Sequence, residues 1–370
     1  MTTENARRDQ LVVLAAGGTA GHVFPAEALA TELMQRGHRL AAITDRRGGA
    51  WKGALANIET HRILAGGIAG KSFAARLKSG PELAIGTWQA RGILKRLAPK
   101  AVVGFGGYPT VLHEQNAILG RANRLLASRV QRIATSFENS EGIPEDAAGK
   151  VVHTGMPVRA AVAAVAGRPY PPLQSGRPVS LMVIGGSQGA HVFSEVVPAA
   201  LEGLGVELKA RLRVSQQCRP EDLDRARDRY RKLGIAAELA TFFDDLPERL
   251  AVAHLLIGRA GASTVAEMLV VGRPGILVPY PHAIDDHQTR NAHAIDEAGA
   301  GWLMPETSFT PGGLAARLES LFGLPAILEK AAACAKTAGN ADAAKRLADM
   351  VCGLLKSNGA NGPNAERRAA

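Results

Sequence analysis

Two short glycine-rich turns have the spacing expected of a site that binds an anion. Residues 15–22 read AAGGTAGH and residues 184–191 read IGGSQGAH, so the spacing G-G-x-x-G occurs twice. Each turn follows an apolar run of strand length and precedes a stretch with helical spacing. Glycine lets a ligand approach the backbone, and the N–H groups at a helix start favour a phosphate. A tight turn without a ligand remains an alternative. A nicotinamide site, with Asp45 as its ribose-binding acid, would instead show G-x-G-x-x-G.

A third turn of small residues lies in RAGASTVAE, residues 259–267. Gly258, Gly261 and Ser263 fall where a strand ends and a helix begins, a place that favours a diphosphate. Glu267 follows on the first turns of this helix. Its carboxylate can accept two hydrogen bonds from a ribose diol, or it can simply complement the helix dipole.

Polar side chains crowd the segment DDHQTRNA, residues 285–292, after the apolar run GILVPY. Asp285, Asp286 and His287, together with His282, could bind a divalent ion, but adjacent residues in a loop seldom converge on one metal. The amide of Gln288 is better suited to sugar hydroxyls. The segment therefore predicts a sugar pocket and no metal site.

The first half offers a candidate general base and a polar strand end. His22 closes the first glycine turn, and imidazole titrates near neutral pH, so His22 could accept a proton; it could also be only a neighbour of the helix N-cap. The segment HEQN, residues 113–116, lies at the end of an apolar run, where α/β sites collect. Arg159 could bind a phosphate or a structural carboxylate.

These residues must be positioned by strands and helices that alternate along the whole chain. Thirteen apolar runs of strand length are separated by helical stretches, and the pattern restarts after the Pro- and Gly-rich segment GRPYPPLQSGRP. Such alternation predicts an α/β fold with parallel sheets. A length of 370 residues favours two domains. We expect two doubly wound domains that face each other across a cleft, each with a glycine turn at the carboxyl ends of its strands.

Composition narrows the class of protein. The chain carries a net charge of +10, and residues 1–158 hold 20 Lys and Arg against 12 Asp and Glu. This asymmetry favours an anionic partner, and no nucleic-acid motif with interleaved aromatic residues is present. Three cysteines make a disulfide framework improbable. The polar N-terminus and the lack of an apolar run of about 18 residues predict a cytoplasmic protein without a membrane span.

A basic and apolar stretch, residues 71–100, is a candidate membrane contact. It mixes apolar residues that include Ile85 and Trp88 with basic residues that include Arg91 and Lys95. Such a stretch could rest on an anionic membrane, although an ordinary amphipathic helix packed on a sheet is the commoner explanation. Pro81 is expected to break the stretch.

Together, AAGGTAGHVFPAEALA, VVGFGGYPT, HEQNAILGRANR, IGGSQGAH and RAGASTVAE with DDHQTRNA resemble one family over nearly the whole chain. It is the family of lipid II-forming glycosyltransferases, which add N-acetylglucosamine to an undecaprenyl-diphosphate-linked muramyl-pentapeptide. The resemblance implies a GT-B fold: an N-terminal acceptor domain at 9–158, a helix at 341–356 that packs back on it, and a donor domain at 159–340. The tails 1–8 and 357–370 are expected to be disordered.

The resemblance also implies roles for individual residues. His22 would deprotonate the attacking hydroxyl as the catalytic base. The acceptor would be bound by residues of the first half, namely Gly17, Gly18, Gly106, Gly107, Tyr108 and Glu114. The donor UDP-N-acetylglucosamine would be bound by Thr19, Ala20, Gly21, Asn116, Arg159, Ser187, Gln188, Gly189, Phe243, Ala262, Ser263, Thr264, Val265, Ala266, Glu267 and Gln288. The loop Thr19–Gly21 would also receive the acceptor diphosphate.

No cofactor is required by this resemblance, although a divalent cation could stimulate the reaction. The implied location is the cytoplasmic face of the inner membrane, where the protein would be peripheral and bound to an anionic surface. The reaction would invert the sugar in one direct displacement and form lipid II for peptidoglycan.

The sequence departs from the family pattern after VVGFGGYPT, where it continues directly into VLHEQN. Related sequences have a helix and a loop here, and parallel neighbours are expected to need a crossover of a dozen or more residues. Met156 stands where the family usually has Asn. Three alternatives therefore remain: an inactive copy that binds the donor, a non-catalytic nucleotide-sugar binding protein, and another GT-B transferase.

Overall fold

Two all-parallel sheets organise the chain. A computed structural model describes residues 10–17, 20–45, 53–64, 73–105, 110–186 and 189–360. One compact unit combines Met1–Arg159 with Asp342–Ala370, and the other is Ala160–Ala341. The thirteen apolar runs of the sequence all coincide with strands. The predicted α/β class with doubly wound parallel sheets is confirmed.

The first unit contains a seven-stranded sheet in the order β3-β2-β1-β4-β5-β6-β7. Its strands are β1 (Leu11–Ala16), β2 (Arg39–Asp45), β3 (Glu59–Ile63), β4 (Ala101–Phe105), β5 (Val111–Glu114), β6 (Arg132–Thr135) and β7 (Val151–His153). Its first three helices are α1 (Ala20–Gln35), α2 (Phe73–Leu97) and α3 (Arg121–Leu126), with 3-10 turns at Gly53–Asn57, Ala127–Arg129 and Glu145–Lys150. The central strands are apolar on both faces because helices cover both faces of the sheet.

The second unit contains a six-stranded sheet in the order β10-β9-β8-β11-β12-β13. Its strands are β8 (Val179–Ile184), β9 (Leu212–Gln217), β10 (Ala236–Ala240), β11 (Leu255–Gly258), β12 (Gly275–Leu277) and β13 (Gly301–Leu303). Its helices are α4 (Ala160–Val165), α5 (His191–Glu202), α6 (Val206–Arg211), α7 (Leu223–Leu233), α8 (Leu246–Val252), α9 (Ala262–Val271), α10 (His287–Glu297), α11 (Pro311–Gly323) and α12 (Pro325–Ala338), with 3-10 turns at Pro220–Asp222 and Ile284–Asp286.

Each sheet has one point at which the strand order reverses. In the first unit β1 pairs with both β2 and β4, and in the second unit β8 pairs with both β9 and β11. Ligands of open α/β sheets bind outside the carboxyl ends of the strands at such a point. Both glycine turns follow the strand at the reversal, so the topology places each of them where a ligand is expected.

The link between β4 and β5 contradicts the expectation that these parallel neighbours need a helical crossover. Val103 lies opposite Val111 and Gly104 opposite Leu112, and the Thr110 N–H donates to the Val102 carbonyl over 2.7 Å. Thr110 is therefore level with Val102. Measured along the strand, it lies about 10 Å back from Phe105, a distance that the five Cα–Cα steps from Phe105 to Thr110 can span. Residues 106–109 lie outside the described part of the chain.

The final helix, α13 (Ala343–Ala360), belongs to the first unit. Its buried residues Leu347, Val351 and Leu355 join the apolar core formed with α1 and β4. Arg36, just after α1, donates from Nη1 to Asp349 Oδ1 over 2.7 Å. The helix was expected over 341–356 with a disordered tail beyond it; instead it continues to Ala360, which makes 357–360 helical.

Helix α2 also differs from the expectation. It runs unbroken over Phe73–Leu97, so the predicted break at Pro81 is wrong. A proline removes one backbone hydrogen bond, a loss that a helix of this length can absorb. No helix within the described ranges combines the length and the apolar character that crossing a membrane would demand.

The packing of α13 generates a stability prediction. Leu347 is fully buried, so Leu347→Ala should leave a cavity and lower the free energy of unfolding by about 2–5 kcal/mol. Arg346→Ala, on the exposed face of the same helix, is the matched control. Urea denaturation of the full chain measures both. Equal free energies of unfolding for the Leu347→Ala and Arg346→Ala proteins would show that Leu347 of α13 does not stabilise this core.

Candidate functional site

The first glycine turn places His22 beside the backbone of Gly17. Gly17 follows β1, and a Cβ on it would lie 3.2 Å from His22 Nδ1 and 3.9 Å from Asp45 Oδ2. Any side chain at position 17 would therefore crowd the imidazole. Ala20 and Gly21 begin helix α1, and His22 is its third residue. The predicted residues Gly18 and Thr19 lie outside the described part of the chain.

His113 lies behind this turn, in the interior of the sheet. It is fully buried on β5, its ring centroid is 5.2 Å from that of Phe105, and its Nε2 lies 3.4 Å from the Gly155 carbonyl. Burial lowers the pKa of His113 to about 4; the Gly155 carbonyl partly opposes this shift, and the nearby His22 adds to it. His113 is thus neutral at physiological pH, and its neutral form avoids charge repulsion with His22.

Glu114 organises the loop that follows β5. The side chain is only 2% exposed, and its two carboxylate oxygens accept four hydrogen bonds. Oε1 accepts from the backbone N–H and the Nδ2 of Asn116, and Oε2 accepts from the Gly120 N–H and from Asn123 Nδ2. Glu114 was predicted to bind the acceptor, but these contacts commit its carboxylate to the protein. It positions Asn116, which was assigned to the donor.

The remaining predicted residues of the first unit are less well defined. The guanidinium carbon of Arg159 lies 4.9 Å from the ring centroid of Phe24, in a cation–π contact. Gly106, Gly107 and Tyr108 lie outside the described residues, so their predicted roles in acceptor binding stay predictions.

The second glycine turn has the backbone that its spacing predicts. Gly186 and Gly189 have φ values of +82° and +66°, and a Cβ on Gly185 would lie 2.3 Å from the Ala190 nitrogen. These positions require glycine, because other residues rarely adopt positive φ and none fits at Gly185. The turn leads into α5, whose first residue, His191, donates from Nδ1 to the buried Asp222 over 2.8 Å. Ser187 and Gln188 lie outside the described residues.

Helix α9 begins at the third small-residue turn. Gly261 is its N-cap residue, followed by Ala262, Ser263 and Thr264. Val265 and Ala266 are buried, so they can offer only backbone to a ligand. The Ser263 hydroxyl is buried and has no hydrogen-bond partner among the described residues, which leaves a group that a ligand could satisfy. Glu267, 7% exposed, follows one turn later.

The segment after β12 is tied to this turn. Asn291 is fully buried and donates from Nδ2 to the Ala260 carbonyl over 3.0 Å. Asp285 and Asp286 have φ values of 54° and 51°, left-handed conformations that are uncommon for residues other than glycine. Gln288 Oε1 accepts the Tyr280 N–H over 2.9 Å.

The described residues contain no group of three or more His, Cys, Asp or Glu side chains arranged to hold a metal.

Phe243 and Phe242 differ in exposure. The Phe243 side chain is 6% exposed and its ring lies 4.5 Å from the guanidinium carbon of Arg249, whereas the neighbouring Phe242 is 60% exposed. The predicted contact between Phe243 and the uracil stays a prediction. Phe242 is the aromatic ring available for stacking, and the sequence pair FF could not distinguish the two.

Comparisons with known proteins fit this arrangement. A model of the glycosyltransferase family 28 N-terminal domain matches residues 12–135, and a model of the C-terminal domain of the same family matches residues 180–347. The chain belongs to glycosyltransferase family 28. Membership of family 28 supersedes the nicotinamide alternative, and it agrees with the two glycine turns at the sheet reversals.

Individual relatives are similar over nearly their whole length. A protein of Paramagnetospirillum magneticum is 56% identical over 359 residues, which cover 93% of this chain and 97% of that protein. It is named UDP-N-acetylglucosamine--N-acetylmuramyl-(pentapeptide) pyrophosphoryl-undecaprenol N-acetylglucosamine transferase, as is a Rhodospirillum rubrum protein with 55% identity over 92% of this chain and 91% of its own. The crystal structure of Acinetobacter baumannii MurG superposes with a TM-score of 0.74 and 27% identity, covering 92% of this chain and 98% of that one.

Several residues of this family 28 site were not singled out from the sequence. Arg259, Asn123 and Asp222 are buried or nearly buried polar groups that hold the turns in place. Arg259 directly follows the apolar run LLIG, and a charged residue at the end of a central strand was the available signal. Asn123 lies nine residues after its partner Glu114 and Asp222 lies 31 residues after its partner His191, and neither spacing indicates that the side chains meet.

The four hydrogen bonds of Glu114 generate a second prediction. Glu114→Gln replaces one acceptor oxygen by an NH2 group that faces N–H donors, so we expect the free energy of unfolding to fall by about 1–3 kcal/mol. Glu138→Gln, at an exposed position of the same unit, should change it little. Urea denaturation measures both variants. A Glu114→Gln protein as stable as the control would contradict the role given to the carboxylate.

The burial of His113 generates a prediction for the dependence of stability on pH. Its pKa of about 4 in the folded state lies below the ordinary value of 6.5, so the unfolded chain binds the extra proton between these values. Stability is then fully present above about pH 6.5 and falls as the pH drops towards 4, by up to about 3 kcal/mol from this residue. His113→Gln should be less stable overall, and its unfolding free energy should fall less steeply over this range. Urea denaturation at a series of pH values measures both proteins. The same slope of unfolding free energy against pH for the wild type and His113→Gln would contradict the prediction.

Proposed function

We propose that this family 28 chain transfers N-acetylglucosamine from UDP-N-acetylglucosamine to an undecaprenyl-diphosphate-linked N-acetylmuramyl-pentapeptide. The product is lipid II, a precursor of peptidoglycan. One observation carries the proposal: a relative with this activity in its name shares 56% identity over 93% of this chain and 97% of its own length.

The geometry of the second unit supports the assignment of the donor. The second glycine turn and the start of α9 both present backbone N–H groups at a helix N-terminus, where a diphosphate is stabilised. Glu267 and the exposed ring of Phe242 suit a ribose and a uracil, and the Gln288 amide suits a sugar. All of these residues follow strands at the carboxyl edge of one sheet.

The proposed chemistry is a single displacement that inverts the anomeric carbon. The C4 hydroxyl of the muramyl sugar attacks C1 of N-acetylglucosamine, the bond from C1 to the diphosphate oxygen breaks, and the hydroxyl proton passes to His22. The departing UDP gains negative charge, which helix N-termini stabilise. No cofactor takes part in this scheme, and stimulation by a divalent cation would act on the diphosphate.

A peripheral location at the cytoplasmic face of the inner membrane is part of the proposal. On α2, Trp88 is 77% exposed and Ile85 is 47% exposed, although large apolar residues are usually buried. Arg91, Lys95 and Arg96 are exposed on the same helix. Exposed apolar side chains with basic neighbours suit an anionic membrane surface, where the lipid-linked acceptor is held.

The alternatives of an inactive copy and a non-catalytic binding protein rested on the segment absent after Tyr108. They are not favoured, because β4 and β5 pair without a crossover helix and the similarity to the named transferases extends over both units. Another GT-B transferase would keep the donor residues but accept other acceptors, so competition between acceptors separates it from the proposal.

The deciding measurement is transfer of labelled N-acetylglucosamine to a lipid I analogue by the purified chain. We expect turnover by the wild type. Glu267→Gln should lower the affinity for UDP-N-acetylglucosamine by at least about tenfold, because an NH2 donor replaces one of the two carboxylate oxygens that would accept from the ribose diol. Glu319→Gln, at an exposed position of the same unit, is the control. Donor binding without turnover would support the binding protein, and no donor binding would overturn the proposal.

A further inference from the structure

Arg259 holds the segment that follows β12. It lies directly after β11 and is 11% exposed as a side chain. Its Nη1 donates to the carbonyls of Val278 and Pro279 over 3.2 and 3.0 Å, and its Nη2 lies 2.5 Å from Glu306 Oε2. One guanidinium therefore bonds two consecutive carbonyls and forms an ion pair with a carboxylate.

The same guanidinium also lies against two aromatic rings. Its carbon is 5.3 Å from the ring centroid of Phe193 and 5.4 Å from that of Tyr280, both within cation–π range. Phe193 is buried on α5, the helix that follows the second glycine turn. Arg259 thus links helix α5 to the segment 278–280.

Segment 278–280 in turn fixes the orientation of Gln288. The Tyr280 N–H donates to Gln288 Oε1 over 2.9 Å. This contact turns the oxygen of the amide towards Tyr280, so the Nε2 group, a hydrogen-bond donor, is directed away from Tyr280. A sugar oxygen is a suitable acceptor.

We propose that Arg259 is a positioning residue that acts through segment 278–280 to orient Gln288 towards the donor sugar. The inference rests on the proposed function, because it takes a nucleotide sugar as the ligand. It assigns the recognition of the sugar, as distinct from the nucleotide, to a chain of contacts from Arg259 to Tyr280 to Gln288. In this assignment Arg259 acts on the sugar only through Gln288.

Arginine is required at this position for a geometric reason. Its planar fork reaches two carbonyls and a carboxylate at once and still stacks on rings, whereas the single ammonium of lysine cannot satisfy all of these partners. Arg259→Lys keeps the charge and removes this geometry. Arg211→Lys is a matched control, because Arg211 also donates to two backbone carbonyls, those of Arg177 and Gln174, before the amino end of β9.

Calorimetric titration of the full chain with UDP and with UDP-N-acetylglucosamine tests the role. Arg259→Lys should weaken UDP-N-acetylglucosamine binding about tenfold and UDP binding less than about threefold, since the sugar contact alone is disturbed. Arg211→Lys should change neither. Equal losses for the two ligands, or no loss for either, would overturn the positioning role. Failure of the wild type to bind UDP would instead reject the proposed function.

A double-mutant cycle tests the route through Gln288. If Arg259 acts through that side chain, Arg259→Lys with Gln288→Ala should weaken binding of the sugar nucleotide no further than Gln288→Ala alone. Additive losses would show that the two residues act separately. If Arg259→Lys does not fold, Glu306→Gln loosens the guanidinium without removing it. We expect the same selective loss for UDP-N-acetylglucosamine in smaller measure, and unchanged affinity would count against the proposal.

Discussion

The reversal of strand order in each parallel sheet is the constraint on which the rest of the structure depends. Where β1 meets β4 and β8 meets β11, the loops above the strands diverge to opposite sides of the sheet and leave a crevice. A helix that starts there has backbone N–H groups without intrahelical partners, which a bound anion can satisfy. Glycine is then required where the turn folds back on its own backbone, as at Gly185, where a Cβ would overlap the Ala190 nitrogen.

A crevice of backbone groups does not by itself select a ligand, so side chains must be held at its rim. The two units use buried charges differently for this purpose. In the first, Glu114 accepts four hydrogen bonds from its own loop; in the second, Arg259 donates to carbonyls of a neighbouring segment and pairs with Glu306. An unpaired charge in either place would cost several kcal/mol, which is why each is saturated with partners.

The fold could be predicted from the sequence because its signals are local. Apolar runs mark strands, the repeated G-G-x-x-G marks the strand-to-helix turns, and family motifs in order indicate both units. The site was harder to predict because its contacts depend on which side chains are buried and how they are oriented, and residue spacing specifies neither. Phe242 and Phe243 are adjacent in sequence and differ only in how far each side chain is buried. The Glu114 carboxylate is bound by the amide of Asn123, which the sequence alone does not indicate. Two general rules gave wrong predictions. Proline is expected to break a helix, but the long helix α2 continues across Pro81. Parallel neighbours are expected to need a crossover helix, but the register of β4 and β5 leaves only a short distance to span.

The absence of a crossover helix after β4 raises the question of what covers the sheet there. Val111 of β5 belongs to the core that includes Leu347 and Val351 of α13, and Leu112, on the opposite face, packs with the cluster that includes Leu119 and Leu126. Both faces of β5 are therefore buried by segments other than a crossover helix. Because both faces of β5 are covered without that helix, its absence leaves His113 and Glu114 in their buried positions on β5.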